Sequence, residues 1–269
     1  MNTTDPAPEI SWLKHKIIEL EQSLAQKNSQ LEDCLKKSGT DSEQLSELLA
    51  KHIETENEIQ NKKQNEFYAH YKICDANWSE IPEGFFYHAG QETKIAAFAM
   101  LSTPVTFEMY DLYCASLSQQ PPGDNGWGRE NRPVININYQ NARDYARWLS
   151  EQTGWNCQLP TEEQWEYACR AKTVTNYWYG DIPDPRMMVM ATGKTMPSPG
   201  PRLANPWDLY DMHGNVWEWT SSCKGDEFIL CGGSWYNKAN WLTSSARNIS
   251  YPDFCNNNWG FRLIRLLNK

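Results

Sequence analysis

The chain lacks any apolar run long enough to cross a bilayer, so no membrane-spanning helix is expected. Its first residues, Met1-Asn2-Thr3-Thr4-Asp5-Pro6, carry neither a basic stretch nor a following apolar stretch. No secretory leader is therefore expected, and the reading is a cytoplasmic protein. Basic clusters are missing too. Lys and Arg total 25 against 34 Asp and Glu, giving a net charge of −9 and a pI near 5.1. That balance argues against a nucleic-acid or anionic-membrane surface. Cysteine is dispersed over positions 34, 74, 114, 157, 169, 223, 231 and 255, with no CxxC and no metal-ligand spacing. Reduced thiols that fill small apolar spaces are the expectation.

What is present divides into two compositions. Ile10, Leu13, Ile17, Leu20, Leu24, Leu31 and Cys34 recur in alternating steps of three and four, interrupted at Lys27. This spacing predicts the a/d seam of a coiled coil. Ser38-Gly39-Thr40-Asp41 stops that helix, and Leu45, Leu48, Leu49, Ile53 and Ile59 mark a second, weaker stripe to about Lys63. A helical hairpin and self-association through the first helix both fit. Acidic and polar opposite faces exclude a membrane-surface helix. Residues 1–66 are accordingly expected to dock or oligomerise, without chemistry of their own.

After Phe67 the chain turns to Trp, Tyr, Pro and Gly, and residues 67–269 read as one domain. Ser79 to Tyr87 predicts a turn entering a strand. Asn141 to Ser150 predicts an amphipathic helix with Ala142, Tyr145, Ala146 and Leu149 on one face. Thr161-Glu162-Glu163-Gln164 is a capping box opening a second helix, Trp165 to about Ala171. Two short helices in a loop-dominated chain predict an α+β fold with much irregular backbone.

Four blocks then occur in order. They are Asp124-Asn125-Gly126-Trp127-Gly128-Arg129 with Arg132-Pro133-Val134; Leu159-Pro160-Thr161 through Ala168; Asn205-Pro206-Trp207 through Trp219; and Gly232-Gly233-Ser234-Trp235, closed by Trp259-Gly260-Phe261-Arg262. Across roughly the last 190 residues the chain resembles the formylglycine-generating-enzyme, or sulfatase-modifying factor, family. The resemblance implies a C-type-lectin-like α+β fold, here preceded by the N-terminal helical coiled coil.

It also implies a structural Ca²⁺ held by the side chains of Asp211 and Glu218 and the carbonyls of Gly214 and Val216, hard oxygen ligands of a suitable kind. The plainer reading of Asp211 and Glu218 is that they accept hydrogen bonds inside a loop. Arg247 and Arg262 sit among aromatics, where a buried guanidinium tying carbonyls to a carboxylate is expected. The enzymes of the family oxidise a cysteine with copper held by two cysteines after the Gly-Gly-Ser-aromatic motif. The stretch Trp235 to Arg247 contains none, and Cys231 and Cys255 do not match their positions. No copper is expected, because Asn or Leu cannot replace soft thiolates. The related iron branch needs a His-rich module, for which His15, His52 and His70 are too far apart.

Between Trp235 and Trp259 rings and amides dominate: Tyr236, Asn237, Asn240, Trp241, Asn248, Ile249, Ser250, Tyr251, Phe254, Cys255, Asn256, Asn257 and Asn258. Rings give contact area at low entropy cost, and amides adapt their hydrogen bonds. Strand periodicity is absent, so most of the segment is expected to be loop, exposed because a buried loop this rich in amides would strand polar groups. The segment also looks like the region, about 232–262 here, that ends the variable proteins of diversity-generating retroelements. In those proteins adenine-directed mutagenesis of Asn codons yields Tyr, Ser, Phe, Ile, Cys and Asn. Lys238 and Trp241 are not simple products of an Asn codon.

The expectation is a non-catalytic protein that presents residues 236–258 to a protein ligand, with the coiled coil supplying self-association or partner docking. The alternatives are a metal-dependent oxidoreductase and a coiled-coil adaptor carrying an ordinary lectin-like binding domain.

Overall fold

The computed structural model describes residues 78–267 and the isolated helical positions Gln26, Ser29, Ala50, Lys51, Ile53, Glu54 and Asn57. The a/d seam expected from Ile10 to Cys34 lies outside the described residues. The chain divides into two units with the boundary between Tyr71 and Lys72.

The second unit begins with β1 (Trp78–Ile81), the hairpin of β2 (Gly84–His88) and β3 (Gln91–Ile95), and β4 (Phe98–Leu101). The turn expected near Pro82 thus has a strand on each side. β1 and β4 pair antiparallel with two later strands, β5 (Asn156–Gln158) and β10 (Ile264–Leu266), in the order β1-β4-β10-β5. The last strand of the domain thus lies between β4 and β5, which ties the end of the fold to its start. β4 is buried along its whole length, so it reads as an uninterrupted apolar run. Phe98 and Met100 join Ile81, Trp165, Leu209, Met212 and Ile264 in the core.

Three helices pack around these strands. α1 (Phe107–Ser116) is capped by Thr106, whose hydroxyl accepts from the Met109 N–H. α2 (Tyr139–Thr153) opens with a capping box of Asn138 and Asn141 and stops at Gly154, where φ is +71°. α3 (Glu162–Arg170) opens with the expected capping box, Thr161 with Gln164.

The second sheet has the order β8-β7-β6-β9. Its members are β6 (Trp217–Lys224), β7 (Glu227–Cys231), β8 (Arg247–Ser250) and β9 (Trp259–Gly260). β9 runs parallel to β6, and the other pairs are antiparallel. Trp217 and Trp219 point to one face of β6 and Glu218 to the other, yet all three are buried, because both faces of this central strand are covered. Most of the last segment is loop, as expected, and β8 is the four-residue strand within it. β8 pairs through its backbone at a sheet edge, where the residue types need not alternate between apolar and polar.

Candidate ligand-binding surface

The segment from Gly232 to Trp259 leaves β7, crosses the end of the second sheet, forms β8 and returns as β9. Its backbone is fixed from beneath at many points. The Trp235 N–H donates to the Asn215 carbonyl at 3.0 Å, and the Thr192 N–H donates to the Trp235 carbonyl at 3.1 Å. The Tyr177 hydroxyl donates to the Ala239 carbonyl at 3.0 Å. Further along, the Tyr139 N–H reaches the Pro252 carbonyl, the Asn136 N–H the Asn256 carbonyl and the Trp217 N–H the Asn258 carbonyl. Gly233 sits at φ +75°, and a Cβ there would lie 2.6 Å from the Trp241 carbonyl. Only glycine fits this crossing.

His213 fastens the middle of the segment. Its Nδ1 lies 2.6 Å from the Leu242 carbonyl, and its Nε2 accepts the Trp178 N–H at 3.1 Å. The imidazole therefore carries its proton on Nδ1. Burial holds its pKa down to about 4, so the ring is neutral.

Above this frame the side chains point out. Tyr236 is 71% exposed, Phe254 59%, Trp241 52%, Tyr251 50% and Ile249 45%, a concentration of apolar area that soluble surfaces seldom leave uncovered. Asn240, Cys255 and Asn256 are exposed beside them, while Asn248 and Asn257 are half-buried. Three expected contact residues belong to the frame instead. Ser250 is buried at the end of β8. Asn237 turns inward and accepts from the N–H and the hydroxyl of Ser234 at 3.1 and 2.6 Å. Asn258 donates to the same hydroxyl at 3.0 Å. Composition cannot separate an amide that caps a turn from one that faces solvent.

Residues outside the segment adjoin this surface. Trp127 meets Trp235 edge to face at 5.2 Å, in a turn held by the Asp124 carboxylate, which accepts from the Gly126 and Gly128 N–H groups. Asn136 donates to the Gly123 carbonyl and to Asn125. Asn125 is exposed and Trp127 half-buried. The Asp-Asn-Gly-Trp-Gly run was visible in the sequence, but nothing in its spacing placed it beside the last segment.

The expected calcium ligands are arranged differently. Both Glu218 oxygens are committed inside the core: Arg262 donates to one at 2.8 Å and to the other at 2.7 Å, and the second also takes the Trp165 indole N–H at 2.6 Å. Asp211 accepts from Arg202 at 2.7 Å and from Asn215 at 3.1 Å, and the Gly214 carbonyl accepts the Val216 N–H. With guanidinium groups on both carboxylates, these four residues do not fit a calcium ion as they stand. Arg262 is fully buried and also donates to the carbonyls of Leu101, Ser102 and Tyr210. Arg247 links β8 to α3 by donating to Glu162 and Glu166, and to the carbonyls of Ser244 and Ala246. Both arginines take the structural role expected of them.

The thiols are separated in kind. Cys231 is fully buried at the end of β7, and burial pushes its pKa up. Cys255 is exposed on the outer surface.

The family model for the sulfatase-modifying factor enzyme 1-like domain matches residues 64–267. The chain belongs to this family. Among curated members of the sulfatase-modifying factor family, the inactive C-alpha-formylglycine-generating enzyme 2 of Bos taurus is 30% identical over 54% of this chain and 54% of its own. The formylglycine-generating enzyme of Mycobacterium tuberculosis is 38% identical over 35% of this chain and 34% of its own. The chain thus spans about half or less of these relatives. Among solved structures, Treponema denticola variable protein 1 superposes with a TM-score of 0.60 at 20% identity, covering 71% of this chain and 95% of that one. The second unit thus shares the fold of that protein, a mixed α/β arrangement with few helices and many short strands, and the C-type-lectin-like architecture implied by the sequence resemblance is consistent with it. No helix among the described residues is long and apolar enough to cross a membrane.

Proposed function

We propose that the chain is a non-catalytic binding protein, the diversified target-binding component of a diversity-generating retroelement, and that it grips a protein ligand through the exposed residues between Tyr236 and Asn257. One observation carries this reading. The frame holds the segment mainly by its main chain, while Tyr236, Asn240, Trp241, Ile249, Tyr251, Phe254, Cys255 and Asn256 project outward with little role in the fold. Exposed rings on a fixed backbone bind at a reduced ordering cost, because only side-chain rotamers remain to be fixed. The likeness to a solved variable protein and the sequence match to an inactive relative support it.

The oxidase alternative requires two thiolates facing one cavity. A fully buried Cys231 with a raised pKa and a solvent-facing Cys255 do not supply them. Residues 1–66 are assigned self-association or partner docking, which raises avidity.

Sequencing the flanking DNA tests the proposal. A near-copy of the stretch encoding Gly232 to Arg262, differing at adenines and lying beside a reverse transcriptase gene, is expected. Its absence, together with copper-dependent oxygen consumption that is lost in Cys231→Ser, would overturn the reading.

A further inference from the structure

We propose that His88, Glu162 and Glu163 form a Zn²⁺ site that clamps the β2–β3 hairpin to the first turn of α3. One ligand atom from each of the three side chains lies within 4.8 Å of the other two. His88 closes the hairpin's first strand, and both glutamates open the helix.

The hydrogen bonds of His88 define the site. Its Nδ1 lies 3.0 Å from Glu166 Oε2. An ionised carboxylate only accepts, so Nδ1 carries a proton. Nε2 faces Glu162 Oε1 at 3.7 Å, beyond hydrogen-bond distance, and in the neutral ring it offers a lone pair. In that form two acceptors face each other in a place where His88 is 17% and Glu162 18% exposed. A cation between them removes the conflict. Zn²⁺ binds imidazole nitrogen and carboxylate oxygen at about 2.0–2.2 Å, which sets tetrahedral ligands about 3.3 Å apart. The observed gap needs only a small contraction.

Surrounding groups fit the same assignment. The carboxylate on the far nitrogen of the imidazole is the arrangement that orients metal-binding histidines. Arg247 already occupies Glu162 Oε2 at 3.0 Å, leaving Oε1 as the single donor. Glu163 is half-buried in the same turn, and none of the ion pairs that engage Glu162 and Glu166 includes it. Three carboxylates, of Glu162, Glu163 and Glu166, outnumber the guanidinium groups of Arg170 and Arg247 bound to them. The local field therefore favours a cation, and water completes the coordination. The rival occupant of the gap is a second proton on His88, forming an imidazolium bridge.

The test uses the full chain with Cys223→Ser and Cys255→Ser, which removes the two exposed thiols among the described residues. Zn²⁺ is titrated by calorimetry and Co²⁺ by visible absorption near neutral pH. One saturable equivalent is expected, with Glu163→Gln weakening it at least tenfold and removing the rise in Tm that Zn²⁺ produces in the parent. His88→Ala should abolish it. Glu163→Gln leaves every described hydrogen bond intact and decides the matter if His88→Ala fails to fold. Absence of that equivalent, or a loss below tenfold in Glu163→Gln, overturns the proposal in favour of the imidazolium bridge.

Discussion

Glu218 and Arg262 show how a single side-chain pair joins distant parts of the chain. The carboxylate accepts three hydrogen bonds, and the guanidinium reaches carbonyls at Leu101, Ser102 and Tyr210. Removing one partner leaves the other charged and dry. Arg262→Ala should cost about 3–5 kcal/mol in urea denaturation, and Arg262→Lys should recover little, since an ammonium cannot span the same forked geometry. Neighbouring residues of similar type differ as sharply. Asn237→Ala removes the acceptor for two Ser234 donors and should cost about 1 kcal/mol or more. Tyr251→Ala, at an exposed ring, should stay within about 0.5 kcal/mol of the parent while weakening target binding. Equal losses of stability in the two variants would show that the ring belongs to the frame.

Among elements, α2 was legible from its apolar face and α3 from its capping box, whereas the Asn138–Asn141 cap that starts α2 two residues earlier than expected was not. Nor was α1. Phe107, Tyr110, Tyr113 and Cys114 are buried, yet its intervening residues are too mixed to leave one stripe. β8 was hidden for another reason: its four residues, Arg247-Asn248-Ile249-Ser250, show no alternation of apolar and polar types that would mark a buried face. The connection between Ser234 and Arg247 depends on His213, and this gives a pH dependence. Unfolded, the imidazole protonates near 6.5; in the fold burial lowers this to about 4. As pH falls, the unfolded chain takes up the proton first. The contribution of His213 is therefore complete above pH 6.5 and is lost between 6.5 and 4, at most about 1.4 kcal/mol per pH unit. His213→Asn should flatten this part of the stability profile. An unchanged slope between pH 7 and 5 would assign the dependence to other groups.

For the whole molecule, the family and the position of the outward segment were legible because glycines and tryptophans at close crossings leave a recognisable pattern. The expected ligand set around Asp211 was legible only as residue types. Arg202 and Arg262, which take up the two carboxylates, come from stretches whose approach no spacing revealed. The proposed binding face is dominated by amides and rings, and its exposed charges, Lys238 and Asp253, are of opposite sign, despite the acidic balance of the chain. Its affinity for a protein ligand should thus change little between low and high salt, as salt-dependent binding kinetics would show.

One detail of the second sheet bears on length as well as composition. Cys231, where the outward segment departs, and Gly260, where it returns, both pair with Glu218. The segment is sewn shut at one stitch, anchored in turn by Arg262 in the core. For such a closed loop the entropic cost of added residues grows only with the logarithm of length, about 0.6 kcal/mol per doubling. Insertions at the tip around Asp253 should therefore leave the domain folded, so that the reach of the protein, and not merely its lettering, is open to change.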